Sequence, residues 1–346
     1  MNDLDALLKS HGVSKELHAH VTGCAFTRGG ATPAFALGDG AVYFPKAEAW
    51  RRVQAHEGAI LSFAQDVLNE SFLSGGDDGK LNRVNPETVS LLADFGMMKW
   101  VDHIASFAHP KNGLLACSVG KNLYIFAPGG ERLRSMPHFS TVTGIAFDAK
   151  GKRVAASHYN GASLWFTASE ASSPRVLEWK GSHIGVALHP HGSALVSAMQ
   201  ENALHGWTLP EGKHMRMSGY PSKTESLGFT ASGRWLATSG ADAIVLWPFF
   251  GGGPMGKAPL ELAGSDGAIV KRIACHPKQE VVAAGFDNGM VVIADIASEH
   301  VLPVAGPGRG AVSALSWNDS GSHLAFGTAE GFAAIVALPQ KHEATG

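Results

Sequence analysis

The sequence predicts an all-β fold made of short antiparallel strands repeated around a closed ring. Three observations carry that prediction. First, Thr143 to Phe166, TGIAFDAKGKRVAASHYNGASLWF, alternates with period two between Gly- and Asn-containing turns, the pattern of three antiparallel strands. Second, the same pattern recurs along the chain. Anchored on the bulky residue that ends each first strand, the copies fall at Phe26, Phe63, Phe107, Phe147, Leu188, Phe229, Cys275 and Trp317. Their period is roughly 40 residues, as expected of propeller blades. Third, the last copy ends near Leu338 after its third strand, while Val13 to His18 supplies a spare strand before the first copy. A ring in which this strand completes the last blade leaves no open edge. The expectation is a single β-propeller with eight blades of four strands, closed by its N-terminal strand. Seven blades is the alternative, if the compressed Phe26 unit or the irregular Phe63 unit is not a complete blade.

Taken in order, residues 1–12 read as a tail or short helix, 13–338 as the ring and 339–346 as a disordered tail. Leu4, Leu7 and Leu8 have helical spacing, which suits either packing on the ring or docking to a partner. The N-terminus is acidic where a secretion signal is basic, and no window reaches the roughly 18 apolar residues of a membrane span. Between strands of the sixth unit, Gly251 to Lys257 fits the start of a phosphate-binding loop. Ala258 and Pro259 stand where a metal-binding hydroxyl and a helix should follow, so a hairpin tip is expected instead. Cys24, Cys117 and Cys275 are odd in number and scattered over three units, which argues for free thiols in a reducing, cytoplasmic setting. The formal charge of −2, without a basic block, implies neither nucleic acid nor an anionic membrane as partner.

The order of strand, Gly turn, strand and Ser-Gly-Asp-Gly turn, best seen in SFLSGGDDGKL and WLATSGADAIVLW, resembles the WD40 repeat family over nearly the whole chain. Trp165, Trp207 and Trp247 stand at or beside the family's third-strand tryptophan, although Gly-His and Trp-Asp dipeptides are missing. In that family a His, a Ser or Thr, an Asp and the Trp form a hydrogen-bonded tetrad within a blade. The resemblance places the nearest equivalent at His138, Ser157, Asn160 and Trp165. His56, Ser74 and Asp78 match three positions of a second, with Val84 in place of Trp.

Chemistry is sparse. Neither a G-x-S-x-G elbow nor an H-E-x-x-H helix is present, and turn carboxylates such as Asp39, Asp77, Asp78, Asp242 and Asp287 suit the turns themselves. No enzyme activity and no cofactor are therefore expected. Of the 17 histidines, His18 and His20 share one side of an extended chain, and His20, His56, His103, His138 and His183 lie near blade junctions. His109-Pro110, His189-Pro190-His191 and His276-Pro277 read as turn chemistry on the opposite face. The leading expectation is a cytoplasmic scaffold that binds another protein or peptide on its loop face, as the WD40 resemblance implies. Contact candidates are Lys99, Trp100, Asp102, Tyr159, Trp179, Lys180, Tyr220 and Arg309, because Trp, Tyr and Arg anchor interfaces. One alternative is a zinc-handling accessory protein using the junction histidines, above all His18 and His20. A second is a propeller enzyme with acidic residues converging on the channel mouth.

Overall fold

The computed structural model describes residues 3–46, 49–169, 173–265 and 267–339. The predicted C-terminal tail lies outside them, apart from its first residue. The described residues form a β-propeller of small antiparallel sheets, six of four strands and one of six, so seven continuous sheets in all. Seven is the number given as the alternative. The six-stranded sheet nevertheless contains the four-strand unit twice. Its strand Arg153–Phe166 folds back on itself, since the Thr167 N–H reaches the Lys152 carbonyl at 2.9 Å. Its strand Arg175–Leu188 pairs with that hairpin through Arg175 to Ser182 and with the next sheet through His183 to Leu188. Thus the repeated unit read in the sequence occurs eight times, and one junction is bridged by unbroken strand. These units are called blades 1 to 8 below.

The first strands of the eight blades touch one another in a closed circuit around the centre. At the entry to each sits a fully enclosed residue: Val21, Ile60, Val101, Val142, His183, Thr224, Val270 or Val312. Directly after it the strand register slips in blades 1, 2, 3, 5, 7 and 8. The extra residue is Thr22, Leu61, Asp102, Ile184, Lys271 or Ser313. Such bulges bend a strand and turn the extra side chain out of the ladder. Hydroxyls then stitch blade to blade: Ser62 Oγ donates to the Val101 carbonyl at 2.9 Å and Ser313 Oγ to the Val21 carbonyl at 2.6 Å.

The apolar core lies between blades rather than within one central volume. Ala34, Val42 and Phe44 of blade 1 pack on Ile60, Phe72 and Val84 of blade 2, and the same layering continues around the ring. Face-to-face packing of twisted sheets demands small residues where they approach most closely. Gly75, Gly285 and Gly327 meet this need: a Cβ on each would fall 2.3–2.5 Å from a methyl of Val101, Val312 or Val21 in the next blade.

Closure follows the sequence expectation. Strand β1 (Gly12–Glu16) pairs antiparallel with Phe332–Val336 and becomes the outer strand of blade 8. Helix α1 (Ala6–His11) packs Leu7 and Leu8 against Val291, Ile293, Val304 and Phe332, the ring-packing option of the two. Gly251 to Lys257 is a hairpin tip before the strand Leu260–Leu262, and the Lys257 ammonium folds back onto the Phe250 and Gly251 carbonyls. No helix among the described residues is long and apolar enough to cross a membrane.

Candidate protein-interaction face

Several predicted site residues turn out to hold the ring together. In blade 2 the His56 Nδ1–H donates to Asp78 Oδ1 at 2.9 Å, which leaves Nε2 to accept from Ser74 Oγ at 2.9 Å. Burial pushes the Asp78 carboxyl up, but the His56 bond together with two backbone N–H groups holds it below the ordinary carboxylate range. In blade 4 the quartet His138, Ser157, Asn160 and Trp165 does not assemble. Only His138 and Trp165 meet: the indole N–H donates to His138 Nε2 at 3.2 Å, and Nδ1–H donates to the Met136 carbonyl at 3.0 Å. Ser157 lies within 3.2 Å of the Thr143 hydroxyl instead. Asn160, in a left-handed turn at φ 66°, aims its amide carbonyl at the Gly181 N–H. In blade 6 a tyrosine takes the place that His138 holds in blade 4. Trp247 Nε1–H donates to Tyr220 Oη at 2.7 Å, and Thr238 Oγ1 lies 2.6 Å from the same oxygen. Tyr220 is thus buried, 8% exposed, and is withdrawn as a contact residue.

Arg309 is also corrected. It forms a two-pronged pair with Asp5, 2.9 and 3.1 Å, and its guanidinium lies over the Phe332 ring. It clamps the N-terminal segment onto blade 8. The His-Pro turns likewise do more than shape their own turns. His189 Nδ1 accepts the His191 N–H, so its Nε2 carries the proton and donates to the Gly233 carbonyl of the next blade at 2.9 Å. His276 repeats this, accepting from Lys278 and Gln279 N–H and donating to the Gly321 carbonyl at 3.2 Å.

His18 and His20 are both exposed, and among the described residues no three His, Cys, Asp or Glu side chains gather closely enough for a metal ion. The eight inner strands contain a single carboxylate, Asp102, whose pKa is raised by burial. Glu225, at the mouth, is bound to Lys271 and Arg272 at 2.8 and 3.2 Å. The three cysteines are free. Burial raises all three thiols, that of Cys275 to about 12, so they carry no nucleophile at neutral pH.

What remains is an arc of uncovered apolar side chains on the junction face. Met97, Met98 and Trp100, in the loop from blade 2 to blade 3, are 86, 83 and 54% exposed. Phe139, in the loop from blade 3 to blade 4, is 99% exposed, and Tyr159, in the blade 4 turn, 57%. Each of these loops is bound to its own blade. The 96–99 loop covers the blade 2 turn at Gly79, and the Phe139 loop is bound to blade 3 through His138 N–H to the Lys121 carbonyl. The Tyr159 N–H donates to Ser140 Oγ at 3.0 Å, and Tyr159 pairs with Ser182. Beyond Ser182 lie Trp179 and Lys180, at a cleft of about 290 Å³. So Lys99, Trp100, Tyr159, Trp179 and Lys180, all predicted, fall on one arc with Met97, Met98 and Phe139, which were not.

No protein-family model matches the chain, and no curated protein does. Among solved structures, the crystal structure of the computationally designed protein Ika8 superposes with a TM-score of 0.75, at 17% identity, over 94% of this chain and 98% of that one. At that identity the likeness shows the fold alone, and the chain is a β-propeller.

Proposed function

We propose that this chain is a non-catalytic platform that binds another protein or peptide through the junction face of blades 2 to 5. The observation that carries the proposal is the arc Met97, Met98, Trp100, Phe139 and Tyr159. Phe and Met side chains this exposed, on loops bound to neighbouring blades, are what interfaces use and what monomer surfaces avoid. The single carboxylate on the inner strands supports a non-enzymatic role, and the three free thiols support a cytoplasmic one. The finer reading of the repeats as WD40-type is supported by the His56–Ser74–Asp78 network and by its tyrosine-based counterpart in blade 6.

The test compares the wild-type chain with a Met97→Ser, Met98→Ser, Phe139→Ser variant as baits in native lysate. The expected result is a protein retained by the wild type and lost from the variant, while the melting temperature of the bait is unchanged. Equal recovery of every protein on both baits would refute the platform.

A further inference from the structure

We infer that the occupant of this face is an extended peptide whose apolar side chains lie on the arc and whose glutamate side chain enters the cleft beside Trp179. The inference rests on the platform reading and adds the chemistry of the partner. The Tyr159 end of the arc runs into the cleft. Tyr159 pairs with Ser182, the Ser182 N–H donates to Glu201 Oε1 at 3.0 Å, and a Cβ on Gly181 would fall 2.5 Å from Met199 Cε. The cleft is lined by Trp179, Lys180, Met199, Glu201, Ala203 and Arg216. Trp179 stacks on the buried His205 ring at 3.9 Å, so its indole is a fixed wall.

The cations decide the ligand. Lys80, Lys271, Arg272 and Arg309 each hold a carboxylate partner. Lys180 and Arg216 hold none among the described residues, and both are exposed. Only Glu201 offsets them in the cleft, and one of its oxygens already accepts a backbone N–H. One positive charge is therefore left uncompensated. The apolar wall of Trp179, Met199 and Ala203 suits a short methylene stem, and the cationic rim suits a carboxylate at its end. That combination is a glutamate side chain. A polyanion fits poorly, because Glu201 stands in the cleft and the chain as a whole carries −2.

The test uses the full chain and fluorescein-labelled 12-residue peptides carrying a Phe-Leu pair. Glu, Gln, phosphoserine or Lys follows the pair at a series of spacings, and anisotropy reads the affinity. The best Glu peptide is expected to bind at least about tenfold more tightly than its Gln counterpart, a difference of about 1.4 kcal/mol. That ratio should collapse in a Lys180→Gln, Arg216→Gln variant, and Phe139→Ser should weaken Glu and Gln peptides alike. Equal binding of Glu and Gln peptides, still lost with Phe139→Ser, overturns the glutamate inference and leaves the platform standing. A preference for phosphoserine alone overturns it in favour of a phosphorylated partner. Absence of any binding that depends on Phe139 removes both readings.

Discussion

Tyr220 shows how one hydroxyl can replace an imidazole. Its oxygen accepts from the Trp247 indole and lies within 2.6 Å of Thr238, and the phenol is pushed up to about 12, by burial first. Tyr220→Phe keeps the ring and removes only that oxygen, leaving a buried indole N–H without its acceptor. We expect a loss of about 1–3 kcal/mol in urea denaturation. An unchanged midpoint would mean that water takes over the bond. At this scale the sequence is readable only where partners are close and of ordinary type. His56, Ser74 and Asp78 could be read because they match three positions of the repeat pattern that the sequence resembles. Tyr220 was misread because a tyrosine in a junction has the same letter whether it faces solvent or a tryptophan. Arg309 was misread because its partner, Asp5, lies in a segment the chain brings back from its other end. Met97, Met98 and Phe139 carried one usable signal: large apolar residues in stretches that belong to neither strand period.

The blade is the element whose packing the sequence predicts best, because period-two alternation fixes which residues face a neighbour. The glycines that let blades approach are harder to read, since a glycine in a strand looks like a weakness until the facing residue is known. Gly327 is the sharpest case. It lies where blade 8 meets blade 1, and a Cβ there would fall 2.3 Å from Val21 Cγ1. Gly327→Ala should destabilise the ring by about 1–3 kcal/mol through overpacking. Val21→Ala in the same chain should recover part of that loss, and the double-mutant cycle measures the coupling. Strictly additive losses would show that the two residues do not press on each other.

The whole molecule is staked on neutral imidazoles. Burial above all lowers them: it holds His103 and His138 at about 4 and His205 at about 3, and it also lowers His183, His189 and His276. In the unfolded chain these groups titrate at the ordinary value of about 6.5. Between those limits the unfolded state binds more protons, so folding stability is complete above about pH 6.5 and declines as pH falls toward 4. The geometry gives the same sign, since protonating His189 or His276 at Nδ1 evicts the backbone N–H that it accepts. Urea midpoints measured from pH 7.5 to 5 should fall steadily, ahead of the window in which Asp78 is protonated. A flat profile over that range would show that these histidines are solvated. The ring itself was legible as a whole because eight weak repeats reinforce one another. The joining of two blades by the unbroken strand Arg175–Leu188 was not, because GSHI does not differ in kind from a turn.

The closing strand also sets an order of events. β1 leaves the ribosome before the blades that follow it, and Phe332–Val336, which it pairs with, only after blades 1 to 7. At ordinary synthesis rates the interval is roughly 15 to 60 seconds. Throughout it, β1 has no native neighbour to pair with. Its composition suits the wait: Val13, Ser14, Lys15 and Glu16 stay exposed even in the finished ring, so the strand brings little apolar surface to misplace. Blades 1 to 7 can stack as they emerge, and the clasp shuts only when the final hairpin arrives to meet it.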